Sequence, residues 1–160
     1  MAINSFQELK EYVETLATEH VAVRDFVYGE SSRIISRQKS RINYPVVWLL
    51  PVEAAPVGGG ENARYRYEFT ILILTNAAID DWAKEDNNMY LLEEVAKDFI
   101  ARLHSDSREN RLFDFELKNT RLDPKHKFSG DNDHGWVIEG SLITWGEYCY
   151  NEAKWTGDGE

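Results

Sequence analysis

The stretch Arg64 to Thr75, RYRYEFTILILT, decides how the rest of the chain can be arranged. In an extended chain Tyr65, Tyr67, Phe69, Ile71 and Ile73 alternate onto one face, and Arg64, Arg66, Glu68, Thr70, Leu72 and Leu74 take the other. Its first half therefore has one polar face, while its second half is apolar on both. Such a strand leaves water at one end and enters an interior at the other. Before it, Pro56 to Asn62 (PVGGGEN) reads as a hairpin tip, and Tyr44 to Val52 (YPVVWLLPV) as the partner strand. Pro45 and Pro51 near the two ends of that partner argue against a long central ladder on both its sides.

After the decisive strand the period changes. Met89, Leu92, Val95 or Ala96, Phe99 and Leu103 recur at helical spacing, which predicts a long helix over about residues 79 to 104. Asn76 or Asp80 is its expected cap; Asp80, Asp81, Glu85 and Asp86 gather at its positive end, and Arg102 and His104 at the other. The chain opens with a second helix. Ser5 and Glu8 read as a capping box, and Phe6, Leu9, Val13 and Leu16 form its apolar stripe. Residues 21–28 (VAVRDFVY) read as extended and Gly29 to Ser32 as a turn, while 34–41 resists assignment. Two strands are expected to close the fold, Arg111 to Leu122 and Trp136 to Tyr150, joined by a polar loop over 123–135. Gly140 and Gly146 mark bulges or close approaches. The expectation is one α+β domain over 1–150: a mostly antiparallel sheet with two helices packed on it, in the order α-(β)-β-β-α-β-β. Residues 151–160 read as a flexible acidic tail.

Composition narrows the function. The 160 residues suit one domain and carry a net charge of −10, which opposes tight binding to a phosphate backbone. The single cysteine, Cys149, excludes a disulfide framework and a multi-cysteine zinc site. The opening MAINSFQELKEYVETL has neither a basic nor an apolar leader segment, and no apolar run reaches the roughly 20 residues of a membrane span.

Catalytic and ligand patterns are thin. Of the four histidines, His126 and His134 share the 123–135 loop with Asp123, Asp131 and Asp133, the best metal candidate, although a solvated turn joining two strands accounts for that composition far more simply. Gly58, Gly59 and Gly60 have no following Lys-Ser/Thr or helix, as a phosphate loop requires. Cys149 has no neighbouring histidine, and Ser141 lacks the nucleophile-elbow spacing. Asp80-Asp81 and Glu93-Glu94 are solvated helix neighbours rather than an acid–base pair in an apolar pocket. The reading is of a protein that is not an enzyme and uses no cofactor or metal. One local charge feature runs against the acidic balance: Arg33, Arg37, Lys39 and Arg41, a basic island suited either to solvent or to docking on carboxylates. Trp48, Tyr65, Tyr67, Trp136, Trp145, Tyr148, Tyr150 and Trp155 exceed the needs of one small core and point to assembly.

In order and texture these segments resemble the tail terminator or tail-completion (neck) proteins of tailed bacteriophages, across residues 5–150. The resemblance is carried by the opening amphipathic helix, the Arg-rich segment, YPVVWLLP and RYEFTILILTNA. The acidic helix with Asp80-Asp81, Leu91-Leu92, Val95 and Phe99-Ile100 follows, and then the ending WVIEGSLITWGEYCY. It implies a non-enzymatic virion protein, made in the host cytoplasm, that forms a homo-oligomeric, hexameric ring. Such a ring ends the tail tube and joins it to head-tail connector proteins, with no membrane partner and with DNA passing through its lumen. The long 123–135 loop and the acidic tail depart from the plan. On this reading Arg33, Arg37, Lys39 and Arg41 of one copy dock on Asp80, Asp81, Glu85 and Asp86 of the next. Two other classes fit the composition: a small dimeric α+β module binding a ligand or a protein, and, less well, an enzyme built on the His126/His134 loop.

Overall fold

The computed structural model describes residues 2–30, 41–58, 64–128 and 132–145. Helix α1 (Phe6–Glu19) leads into strands β1 (Asp25–Tyr28), β2 (Val46–Leu49), β3 (Glu53–Val57) and β4 (Arg64–Asn76). Helix α2 (Trp82–Arg108) follows, then β5 (Asp114–Phe115), β6 (Arg121–Lys125) and β7 (Asp133–Ile143). The fold is α+β, with two helices on a mixed sheet.

Two long strands form the spine of that sheet. β4 and β7 pair antiparallel without interruption from Arg66↔Ile143 to Asn76↔Asp133. Short strands lie end to end along each flank: β2 and β3 beside β4, β5 and β6 beside β7. β1 adds outside β2 as the one parallel pair in a sheet that is otherwise antiparallel.

β4 divides its side chains as its alternation requires. Tyr67, Phe69, Ile71 and Ile73 meet Val47, Leu49, Ile138 and Leu142 on the face that carries both helices. Leu9, Val13, Leu16 and Ala17 of α1 and Leu92, Val95, Ala96, Phe99 and Leu103 of α2 complete that core. Each such large apolar side chain contributes roughly 1.5–3 kcal/mol when fully buried. Leu72 and Leu74 point the other way, into a smaller cluster with Val46, Trp48 and Val137, against which Tyr44, Leu50 and Phe128 pack. The middle of α1 is tied to the C-terminal end of α2 by a polar joint. Buried Asp106 accepts from the Tyr12 hydroxyl at 2.7 Å, from Arg102 Nε at 3.0 Å and from Asn110 Nδ2 at 2.7 Å. Burial first, and then the adjacent Asp106, push the Tyr12 hydroxyl far above its ordinary value.

Several boundaries differ from those expected. Ser5 does accept from the Glu8 amide at 3.2 Å, but Glu8 reaches back to the Asn4 amide at 2.6 Å rather than to the cap itself. Residues 21–24 turn instead of extending, since the Val23 amide donates to the His20 carbonyl. YPVVWLLPV is not one strand: β2 stops at Leu49, short of Pro51, and β3 begins afresh at Glu53 and includes Pro56 and Val57 of the expected tip. Proline is tolerated there because β3 pairs with β4 alone and leaves its other edge open. α2 is capped by Asp81, which accepts from the Lys84 amide, and it runs on to Arg108. The Asp106 joint holds that last turn in the interior. Arg111 to Leu122 is broken by a 3₁₀ turn over Leu117–Asn119, closed by the Asn119 amide on the Glu116 carbonyl. The expected 123–135 loop is shortened from both ends, by β6 to Lys125 and by β7 from Asp133. Gly140 is a close approach and not a bulge, because the register passes through it unbroken and an added Cβ would meet the Phe69 ring at 2.9 Å. Gly146, Cys149 and the 151–160 tail lie outside the described residues.

Candidate interaction surfaces

The first half of α2 is the most unusual part of the surface. Its core stripe steps back by sevens from Leu103 through Ala96 and Met89 to Trp82, yet Met89 is the first buried residue. Trp82 keeps the phase of the stripe but has outrun the core, and it is 72% exposed. Ile79, in the turn before the helix, is 74% exposed, and Tyr90 and Leu91 are open on its outer side. Asp80 and Asp86 lie exposed among them. An indole and a branched aliphatic side chain left in water at one helix end are the kind of group that a protein partner covers.

The four acidic residues expected to form a docking patch therefore separate. Asp81 is taken up in capping. Glu85 is half-buried and accepts from His126 Nδ1 at 3.2 Å. That hydrogen bond, above all, holds its carboxyl below the ordinary glutamate range. Asp80 and Asp86 make no ion pair or side-chain hydrogen bond among the described residues. Of the basic island, Arg41 is exposed, and Arg33, Arg37 and Lys39 lie outside the described residues.

The expected solvated turn after β6 is in part a docked one. Asn132, Asp133 and His134 are buried, because the segment folds back over the start of α2. Asn132 Nδ2 donates to the Ala77 carbonyl at 3.3 Å, and Phe128 meets the Trp48 ring edge-on at 5.5 Å. His134 donates from Nδ1 to the Asn132 carbonyl at 2.8 Å, which leaves Nε2 to accept from Asn88 Nδ2 at 3.2 Å. The two loop histidines thus have separate tasks, His126 on Glu85 and His134 on Asn88. Asp123 pairs with Arg121 at 3.1 Å, and Asp131 lies outside the described residues. Among the described residues no three His, Cys, Asp or Glu side chains converge as a metal site would need.

Two of the concave regions lined by described residues hold polar side chains in contact with one another. A crevice of about 230 Å³ between the helices holds His20, whose Nε2 lies 3.1 Å from Asp98 and whose Nδ1 accepts from the Ala22 amide. The other described residues lining it are Leu16, Glu19, Phe99 and Arg102, and none of these is a nucleophile for the His–Asp pair to activate. A groove of about 460 Å³ runs between β3, β4 and β7, over the sheet face opposite α1 and α2. Arg66 grips Glu116 there with Nε at 2.7 Å, and Ser141 Oγ donates to the same carboxylate at 3.0 Å. Burial pushes the Glu116 carboxyl up, but the Arg66, Ser141 and Asn119 donors outweigh it and hold it below its ordinary value. Ser141 is thereby a structural donor.

No protein-family model matches the chain, and no protein of curated function matches it either. Among the described residues no helix is long and apolar enough to cross a membrane.

Sequence reasoning had looked for interface aromatics elsewhere. Trp48 and Tyr67 are buried, Tyr65 and Trp136 half-buried, and Trp145 is partly exposed beneath the Arg64 guanidinium, 4.9 Å from its ring centre. Tyr148, Tyr150 and Trp155 lie outside the described residues. Trp82 and Tyr90 were overlooked, although the seven-residue step from Met89 back to Trp82 is visible in the sequence.

Proposed function

We propose that this chain is a non-enzymatic structural subunit of a phage tail or related injection machine, closing into a ring that ends the tail tube and joins it to the head or neck. The observation that carries the proposal is the apolar stripe of α2 continuing past the core to an exposed Trp82, with Ile79 beside it. A cyclic assembly needs two unlike patches on each copy, and a projecting apolar helix end supplies one of them. The strongly acidic chain suits a lumen that DNA crosses without sticking, since like charge repels its phosphates. In this reading the partners are further copies of the chain, the tail tube and the connector, and the location is the virion.

Sedimentation velocity over a wide concentration range, alone and with isolated tail tubes, tests it. The expected result is a discrete hexamer that Trp82→Ala shifts toward monomer. A dimer that never grows supports instead a small ligand- or protein-binding module. A chain that stays monomeric under every condition overturns the ring.

A further inference from the structure

Among the described residues, the groove between β3, β4 and β7 holds three carboxylates that no cation pairs with. Glu53 and Glu68 are register partners on adjacent strands, so two carboxylates stand directly opposite each other, an arrangement that disfavours a sheet. Glu139 lies on the same face of β7, opposite Thr70, and all three glutamates are exposed. The two arginines of the groove are engaged elsewhere: Arg66 with Glu116, and Arg121, though opposite Glu139, with Asp123. None of the three glutamates makes an ion pair or side-chain hydrogen bond with a described residue. By contrast, Asp81 and Glu85 on α2 already have partners.

We propose that this open sheet face is the docking site for the basic 33–41 segment of a second copy of the chain. Arg33, Arg37, Lys39 and Arg41 supply the cations that Glu53, Glu68 and Glu139 lack. Guanidinium forks are well matched to carboxylates spaced along a strand. The inference rests on the ring reading in that the donor is another copy. It moves the basic contact away from α2 and leaves the exposed Trp82 end to an apolar one. The two contacts then provide the unlike patches that head-to-tail closure requires.

The test is a titration of the full-length protein, held at a concentration where sedimentation shows it monomeric, with a synthetic peptide spanning residues 31–43, read by calorimetry, so that docking is measured without assembly. The expected result is saturable binding that weakens about tenfold as salt rises through the screening range, since the contact is ionic. The triple variant Glu53→Gln, Glu68→Gln, Glu139→Gln is expected to lose it. So is a peptide with serine in place of its four cations. All three glutamates are exposed, and thermal unfolding no earlier than wild type verifies that the variant is folded. The variant Asp80→Asn, Asp86→Asn is expected to bind as wild type. Binding lost in that α2 variant and kept in the groove variant overturns the proposal in favour of α2. No binding to the wild-type protein, or binding equal in all variants, overturns it outright. A hexamer that forms while the peptide fails to bind leaves the ring standing and removes the groove.

Discussion

The helix-free face of the sheet has two halves that share the same strands and differ in almost everything else. At one end Leu72, Leu74, Val46, Trp48 and Val137 are buried, with Ile42, Tyr44, Leu50 and Phe128 packed against them. At the other, Glu68, Glu139 and Glu53 are exposed around an open groove. β4 and β7 run through both ends in one unbroken register. Register therefore does not separate the two ends; the side chains do, charged at Arg66 and Glu68 and apolar at Leu72 and Leu74. The loop that covers the apolar end is pinned by Phe128 on Trp48 and by Asn132 and His134 at the start of α2. Where no described residue lies over the sheet, the chain has kept charges.

The largest effect is expected where the covered end begins. A Cβ on Gly135 would fall 1.8 Å from the Ile73 carbonyl oxygen, a backbone clash that no side-chain rotation relieves. Gly135→Ala is expected to cost about 4 kcal/mol or more in urea unfolding, by forcing β7 off β4 at that end. A variant within error of wild type shows that the two strands part there without loss, and the covered end is then no second core.

A smaller effect sharpens the contrast within one strand. Leu72→Ala, at a site 2% exposed, is expected to lose about 2–5 kcal/mol, the range for a truncated core leucine. Thr70→Ala, two residues earlier on the same face, is expected to change stability by less than about 0.5 kcal/mol. Equal losses at both sites break the distinction between the halves.

The smallest effect concerns the Glu85–His126 contact that holds the covering loop to α2. The Glu85 carboxyl is held below its unfolded value, so its contribution is complete above the ordinary value of 4.5 and is lost as pH falls through the lower folded value. Glu85→Gln is expected to be less stable than wild type by about 1 kcal/mol at neutral pH, a modest figure for a partly solvated charged pair. The two proteins are expected to converge as pH falls through that lowered value. A difference that persists or grows in acid shows that the carboxylate is not what matters there.

How far these features can be read from the sequence depends on how local their causes are. The α1 stripe, the Ser5 cap, the two faces of β4 and the stripe from Met89 to Leu103 all follow from spacing along a single element, and each is where spacing puts it. The sequence places Pro56 and Val57 in the hairpin tip and assigns nothing to Glu53–Ala55, because EAAPV has no strand character of its own; β3 exists by pairing with β4. The 3₁₀ break at Leu117–Asn119 interrupts an alternation that looked continuous, because Glu116 is drawn to Arg66 and Ser141 on other strands. Asp80, Asp81, Glu85 and Asp86 are one run in the sequence and three different things in the fold: exposed carboxylates, a cap and half of an ion pair.

By itself, then, the sequence determined the α+β class, the two helices with their inward faces, the long strand that is wet at one end and dry at the other, and an acidic chain with one basic segment. Periodicity and charge count are properties of neighbours along the chain, so one dimension is enough to express them. The tertiary structure alone decided that Trp82 projects beyond the core it is in phase with, that His134 is sealed against Asn88, and that Glu53 and Glu68 face each other across two strands with no cation between them. Each of these depends on where one element ends relative to another. That offset is set by packing between residues far apart in the sequence, which no local pattern records.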